Sequence, residues 1–196
     1  LARVDYQTGV EFLLRDEYDQ ALGRFSEAIQ ARSEYGEEYF QQAWTRLYGL
    51  ACLGRGWARL SATRDSGLKR DEREEERDKA REDFERAHVE LQSVESAASL
   101  AYCCSVMRDH RDAVDHYREA IDAYGNWTAL LNNLGYSLSE SSASKVNNCK
   151  EAIMVLLQAI RHDSADAANG VWSNLNEDDE DEAFREAVLN VLVSIE

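Results

Sequence analysis

The sequence predicts an all-α protein, an α-solenoid built from antiparallel helix pairs that follow one another along the chain. Three observations predict this fold class. The chain of 196 residues contains no proline, whereas proline makes up roughly 5% of an average protein and breaks helices. Its hydrophobic content of 44% is high enough for a packed core. A spacing of alanines and large apolar residues also recurs four times, which is typical of stacked helical repeats.

Each copy of the recurring pattern has an alanine, a large apolar residue four positions later and a second alanine three positions after that. These offsets place the three residues on one face of a helix, where the alanines let a neighbouring helix approach and the large side chain fills its groove. The four copies are Ala21/Phe25/Ala28, Ala80/Phe84/Ala87, Ala113/Tyr117/Ala120 and Ala152/Leu156/Ala159. Each follows a second helical stretch with a small residue, at Gly9, Gly56, Ala101 and Gly135.

This combination of a small residue in one helix and the alanine pattern in the next resembles the tetratricopeptide repeat (TPR) family. The resemblance implies helix-turn-helix units that stack into a right-handed superhelix, with the first helices on its concave face. It divides a single array over 1–196 into repeats at about 3–36, 37–93, 94–127 and 128–164. The family's repeat-ending proline is missing in every copy, and polar or glycine residues such as Ser33, Gly125 and Ser164 replace it.

The second repeat is predicted to be an overlong hairpin. Apolar residues keep helical spacing from Glu37 to about Arg64, and a second long helix is predicted from Arg70 to Leu91. Either Gly49 or Gly56 fits as the small residue of the first helix, so its register stays open. The mixed-charge run 69–79 predicts an exposed helix with ion pairs between residues four apart.

Two further helices are predicted to cap the array over 165–196. The first covers Asp166 to Leu175, and the second covers Asp178 to Ser194. The acidic run Glu177 to Glu182 opens the second helix, where negative charge stabilises a helix N-terminus. The alternative for this run is a cation site or an acidic docking tail. The inner face of this last helix consists of Ala183, Phe184, Ala187, Val188, Val191 and Leu192.

Charge and composition exclude several classes of partner. Lys and Arg total 22 against 38 Asp and Glu, a formal net charge of −16, which disfavours nucleic acid and anionic membranes. The sequence shows no apolar stretch long enough to span a membrane and no export signal. Its start at Leu1 favours a fragment of a larger protein. The cysteines have no metal or disulfide spacing and are interpreted as buried thiols of a cytoplasmic protein: Cys52, Cys103, Cys104 and Cys149.

The familiar signatures of catalysis are missing, so the sequence favours a protein that is not an enzyme and needs no cofactor or metal. It has no phosphate-binding glycine loop, nucleophile elbow or zinc-protease motif. One group of residues resembles a metal-binding set, with two of its members four positions apart, and is interpreted as exposed charge on the outer side of a helix. This group is Asp109, His110, Asp112, Asp115 and His116.

The TPR resemblance implies a groove along the first helices that binds a peptide or protein segment. The positions three before and one after each small residue would face this groove. The first set is Tyr6, Leu53, Ala98 and Asn132, and the second is Val10, Trp57, Tyr102 and Tyr136. Three aromatics in one column suit protein binding, and the alternative is that they pack between repeats. Asn133 matches the asparagine with which peptide-binding members of the family hold a ligand's backbone.

The function predicted from these patterns is a non-catalytic scaffold for protein–protein interaction. One branch of the family grips acidic chaperone tails with Lys and Asn residues that would fall at Tyr6 and Val10, so this chain does not match it. Two alternatives remain open. The first is a self-associating module, a homo-oligomer held together by the charged hairpin and the apolar end Val191, Leu192, Val193 and Ile195. The second is a regulatory tail of a bacterial signalling protein such as a protein kinase.

Overall fold

The computed structural model describes residues 2–34, 41–64, 67–141 and 145–162. These ranges form eight α-helices and contain no strand. The predicted capping helices over 165–196 lie outside the described residues. The helices are α1 (Ala2–Leu14), α2 (Tyr18–Glu34), α3 (Gln41–Ala62), α4 (Arg70–Leu91), α5 (Val94–Val106), α6 (His110–Tyr124), α7 (Thr128–Glu140) and α8 (Lys145–His162).

Consecutive helices pack against each other as antiparallel pairs along the chain. We call the first helices of the pairs (α1, α3, α5 and α7) the A helices and the second helices (α2, α4, α6 and α8) the B helices. Each A helix also contacts the next A helix, so the pairs stack in sequence order. This arrangement confirms the predicted all-α solenoid of helix pairs. None of the described helices is long and apolar enough to cross a bilayer.

In the first, second and fourth pairs, the glycine of the A helix lies against the large apolar residue of the B helix. A Cβ atom added to these glycines would come closer to the partner side chain than van der Waals contact allows, so only glycine lets the two helices approach this far. The distances from such a Cβ are 2.9 Å at Gly9 to Phe25 Cδ1, 2.6 Å at Gly56 to Phe84 Cε1 and 2.6 Å at Gly135 to Leu156 Cγ. The recurring sequence pattern therefore encodes the contact within these three pairs.

The same contacts settle the register of α3. Gly56 lies against Phe84 as Gly9 lies against Phe25, whereas Gly49 lies against Leu91 at the end of α4. Gly56 is therefore the small residue that is equivalent to Gly9. The alanines and large residues of the pattern in α2, α4 and α6 are buried together in the core that runs through the array.

Two B helices end at a residue with a positive φ angle, which stops a helix without proline. Gly125 follows α6 with φ of 92°, and its N–H donates to the carbonyl of Ile121. Gln92 follows α4 with φ of 45°, and its N–H donates to the carbonyl of His88. The next helix, α5, then begins at Ser93, whose hydroxyl accepts from the N–H of Ser96.

The charged first half of α4 is an exposed helix with ion pairs along its surface, as the sequence predicted. Arg70 Nε lies 2.9 Å from Glu74 Oε1, and Lys79 Nζ lies 2.8 Å from Glu75 Oε1. The hydrogen bond from Lys79 holds the pKa of the Glu75 carboxyl below its usual value. These pairs join residues four apart on one face of the helix.

A carboxylate in the second half of α4 is buried instead. Asp83 is 1% exposed and accepts two hydrogen bonds from Arg55 of α3, from Nε at 2.9 Å and from Nη2 at 2.6 Å. Arg59 and Arg86 lie further out, at 3.5 and 3.7 Å from the carboxylate. Burial would lower the pKa of the Arg55 guanidinium, and the hydrogen bonds and charge of Asp83 outweigh that effect and raise it. A paired charge thus joins α3 to α4 inside the solenoid.

Candidate functional site

Five of the nine predicted groove residues are buried in the core. Their side chains pack against other helices and offer no surface to a ligand in this structure. These residues and their exposed fractions are Tyr6 (3%), Val10 (5%), Leu53 (0%), Trp57 (3%) and Ala98 (2%). Tyr6 shows why: its ring centroid lies 6.0 Å from that of Phe25, inside the first helix pair.

Trp57 packs between the second and third helix pairs, which was the alternative interpretation of the aromatic column. Its indole Nε1 of α3 donates a hydrogen bond to Ser99 Oγ of α5 at 3.0 Å. Its ring also meets Phe84 of α4 edge-on, at 5.7 Å between centroids. Trp57 therefore holds consecutive pairs together rather than lining an open groove.

Tyr102 lies over Trp57 and is partly exposed. The two rings stack at 5.5 Å between centroids with an interplanar angle of 21°. Arg64, which follows α3, donates a hydrogen bond from Nη2 to the Tyr102 hydroxyl at 2.7 Å. The orientation of Tyr102 is thus fixed at both ends of its side chain, and a rigid aromatic ring loses little conformational entropy when a partner binds.

The remaining predicted residues belong to α7, the next A helix. Asn132 and Asn133 are partly exposed, and Tyr136 is 49% exposed. The Tyr136 ring meets His110 of α6 edge-on at 5.8 Å between centroids. We call Tyr102, Asn132, Asn133 and Tyr136 the A-helix site, because these are the predicted residues that the structure leaves accessible on two consecutive A helices.

Polar side chains between α5 and α7 connect the two halves of the A-helix site. Ser105 Oγ of α5 and Ser137 Oγ of α7 lie 2.9 Å apart in a hydrogen bond. Tyr117 of α6 is fully buried, and burial raises the pKa of its hydroxyl, while the Ser105 and Asn133 side chains partly offset this effect. The Ser105–Ser137 hydrogen bond thus links the two A helices that carry the site.

The metal-like group of the sequence is divided among ion pairs and ring contacts. Arg81 of α4 lies 3.1 Å from Asp112 and 3.6 Å from Asp109, which ties α4 to the start of α6. His116 Nδ1 lies 3.4 Å from Glu119 Oε2. Among the residues that the structure describes, no three His, Cys, Asp or Glu side chains are placed to share a metal ion.

Three of the cysteines are buried free thiols, as predicted, and the side chain of Cys149 lies outside the described part. Burial raises the pKa of the Cys52 thiol to about 11, with the Asp83 charge adding to the effect. Burial likewise raises the pKa of Cys103 to about 12 and that of Cys104 to about 11. Thiols with such pKa values are poor nucleophiles at neutral pH, so these cysteines behave as core residues.

Sequence reasoning missed the side chains that support the A-helix site, namely Arg64, Ser105 and Ser137. The sequence gives little indication of these roles, because a serine inside an apolar helix often forms a hydrogen bond only with its own backbone. Ser105 does this as well, since its hydroxyl reaches the carbonyl of Ala101 at 3.3 Å. The contact between Arg64 and Tyr102 joins residues that are far apart in sequence, and no local pattern indicates it.

The fold is that of an α-solenoid of helix pairs, and its shape matches a known TPR structure. The chain is similar to a thermophilic TPR protein from Thermus thermophilus, with a TM-score of 0.50 and 11% sequence identity. The match covers 96% of this chain and 100% of that protein. No protein family matches the sequence, and no curated protein matches it significantly. At this identity the likeness establishes the fold alone: the chain has the TPR-like fold that its sequence pattern implies.

Proposed function

We propose that the protein is a non-catalytic scaffold that binds a peptide or protein segment at the A-helix site. The observation that carries the proposal is the accessible pair Tyr102 and Tyr136 on consecutive A helices, with Asn133 partly exposed on the same helix as Tyr136. Tyrosine supplies contact area with a polar end, and aromatic anchors dominate the affinity of many protein interfaces. Asn133 has both a donor and an acceptor, which suits the amide of a peptide backbone.

The contacts that hold the side chains of the A-helix site favour a surface that is already ordered before a partner binds. Tyr102 is held by the Trp57 ring and by Arg64, and the Ser105–Ser137 hydrogen bond ties α5 to α7. Side chains that are already fixed lose less entropy on binding. We also propose a cytoplasmic setting, in which the free thiols Cys52, Cys103 and Cys104 stay reduced.

The proposal is tested by affinity capture with the full chain as bait and mass spectrometry of the bound proteins. A variant with Tyr102→Ala, Asn133→Ala and Tyr136→Ala should lose the specific partner. A control with Val4→Ala and Val89→Ala, at residues that are 60% and 71% exposed elsewhere, should keep it. Helical circular dichroism and the urea midpoint of each variant must match the wild type. Retention of the partner by the triple variant contradicts the proposal.

The two alternative functions, a self-associating module and a regulatory tail of a signalling protein, stay predictions. The apolar end that suggested self-association, Val191 to Ile195, lies outside the described residues. The charged hairpin belongs to α4, where its charges pair within the helix and with its neighbours. A role as the tail of a signalling protein depends on sequence beyond this chain.

A further inference from the structure

A cavity of about 450 Å³ is bounded by three consecutive helices, α4, α5 and α6. Among the residues that line it, Leu100 and Ala120 are buried, while Val89 is 71% exposed, so the cavity opens to solvent. The lining includes none of the residues of the A-helix site. Sites for small molecules in proteins are mostly apolar clefts of about 300–1,000 Å³ with a few polar groups. The cavity therefore has the size of a second, separate binding site.

Two positions in this cavity carry smaller or more polar side chains than the equivalent positions of the neighbouring helix pairs. His88 lies four residues after the large apolar residue of its B helix, and Ala97 lies four residues before the small residue of its A helix. The residues equivalent to His88 in α2 and α6 are Ile29 and Ile121, and those equivalent to Ala97 in α3 and α7 are Cys52 and Leu131. All four of these pack in or against the apolar core. The second and third pairs therefore leave a space at their junction that apolar side chains occupy elsewhere in the array.

The His88 ring is oriented by a hydrogen bond to the start of α5. Its Nδ1 lies 3.3 Å from Ser96 Oγ, and the Ser96 hydroxyl donates its own proton to the carbonyl of Ser93 at 2.9 Å. Nδ1 of His88 is therefore the donor to Ser96, which leaves Nε2 of the neutral ring as an acceptor. Burial lowers the pKa of His88 and His116 lowers it further, although Glu119 opposes them, so the ring is uncharged at neutral pH.

His116 and Glu119 place a second acceptor and a negative charge at the same cavity. His116 Nδ1 lies 3.4 Å from Glu119 Oε2, and since a carboxylate only accepts, the neutral His116 ring also keeps Nε2 as an acceptor. Tyr124 adds an aromatic ring, which attracts cations to its face. No Lys or Arg lines the cavity, and no three His, Cys, Asp or Glu among the described residues could share a metal ion. The cavity thus favours a ligand that is positively charged and donates hydrogen bonds.

We infer that the cavity binds a small organic amine. Its ammonium group donates hydrogen bonds to His88 and His116 and lies close to Glu119, and its apolar stem packs against Ala97 and Leu100. An ammonium group has three donors and no acceptor, which matches two imidazole acceptors and a carboxylate. The other source of the same chemistry is a lysine side chain of a protein, whose backbone amides would lose their hydrogen bonds to water against the apolar rim. A free amine has no such cost.

Binding is measured by NMR on the imidazole signals of the 196-residue chain during titration with hexylammonium. The signals of His88 and His116 should shift, and those of His110, which lies outside the cavity, should not. Hexanol, which has the same stem without the charge, should bind at least about tenfold more weakly, because hydrogen bonds to charged groups are stronger than neutral ones. Hexanoate should bind no more tightly than hexanol, because its charge opposes that of Glu119.

Three variants, each checked by helical circular dichroism, locate the groups that bind the amine. Ala97→Leu fills the cavity with the residue type found at the equivalent position of α7, and it should weaken the binding of hexylammonium and of hexanol at least about tenfold. Glu119→Gln, at a side chain that is 73% exposed, should weaken hexylammonium about threefold and leave hexanol unchanged. The control Glu27→Gln removes the same charge from an exposed position of α2 and should change neither affinity.

Absence of shifts at His88 and His116 with hexylammonium overturns the inference, as does hexanol that binds as tightly as the amine. Binding of hexylammonium that Ala97→Leu leaves unchanged overturns it too, because the amine then lies elsewhere. Tighter binding of Nα-acetyl-lysine methylamide than of hexylammonium also overturns it, because the site would then hold a lysine side chain of a protein.

Discussion

The inner faces of the helices α4 and α8 pack in the same way, and their outer faces differ. On the inner side, Phe84 lies against Gly56 and Leu156 lies against Gly135 in the same geometry. On the outer side, α4 carries paired charges and α8 carries exposed apolar side chains. The comparison teaches that the repeated pattern specifies how helices pair, while the outer surface is free to take on other roles.

The largest effect is expected from truncating the inner face. Phe84→Ala removes a fully buried ring that contacts Trp57, and such changes cost about 3–5 kcal/mol of unfolding free energy. Leu156→Ala should cost less, about 2 kcal/mol, because Leu156 is only partly buried. Urea unfolding followed by circular dichroism measures both changes. Equal losses at the two positions would contradict the view that α4 lies deeper in the array than α8.

The next largest loss of unfolding free energy is expected at Asp83, because α4 buries this charge and the described side chains of α8 include no such buried charge. Asp83→Ala leaves the Arg55 guanidinium without its two hydrogen bonds, and the expected cost is about 3 kcal/mol. Replacing both residues, with Arg55→Met and Asp83→Leu, should restore most of the loss, because no unpaired charge remains. A double-mutant cycle by urea unfolding checks this. Additive losses from the two single variants would show that the pair does not act as a unit.

A smaller effect is expected from the ion pair that links α6 to α8. Arg118 Nη2 lies 2.6 Å from Glu151 Oε1, and both side chains are nearly half exposed. Glu151→Gln should therefore cost only about 0.2–1 kcal/mol, and less in high salt. Unfolding at low and at high ionic strength measures the difference. A loss that salt leaves unchanged would mean that Glu151 acts through packing instead.

The smallest expected effect is a pH dependence of the unfolding free energy that arises from His88, near the end of α4. Burial lowers the pKa of His88, His116 lowers it further and Glu119 opposes them. Because the unfolded chain then binds the proton more readily, stability is intact above the ordinary histidine pKa of about 6.5 and falls as the pH drops below it. His88→Gln should flatten the loss of unfolding free energy between pH 7 and 5. Identical pH profiles for the variant and the wild type would refute this assignment.

The sequence was informative wherever one contact repeats. The pattern in the B helices and the glycines of the A helices predicted the pairing, because a Cβ at Gly9 or Gly135 has no space. The sequence spacing did not show whether the Trp57 side chain faces an open groove or packs against the next helix pair. That choice depends on Ser99, a partner 42 residues away, which satisfies the indole N–H inside the core.

The buried ion pair between Arg55 and Asp83 also could not be predicted from local sequence patterns, although the sequence contains one indication of it. Asp83 lies between Ala80 and Ala87 on the inner face of α4, beside Phe84, and a charged residue on an apolar stripe demands a partner. Arg55, next to Gly56, is the residue that α3 supplies. A charge on an apolar stripe indicates that some partner exists, and only the three-dimensional packing identifies it as Arg55.

The claim that a partner binds at the A-helix site is tested most directly by site-specific photo-crosslinking. A photoreactive phenylalanine at Tyr136 of α7 is compared with one at Val89 of α4, which are 49% and 71% exposed. Both variants of the 196-residue chain are irradiated in cell extract, and the covalent products are identified by mass spectrometry. We expect the partner found by affinity capture to be attached at position 136 and not at 89. Attachment at 89 alone would contradict the account.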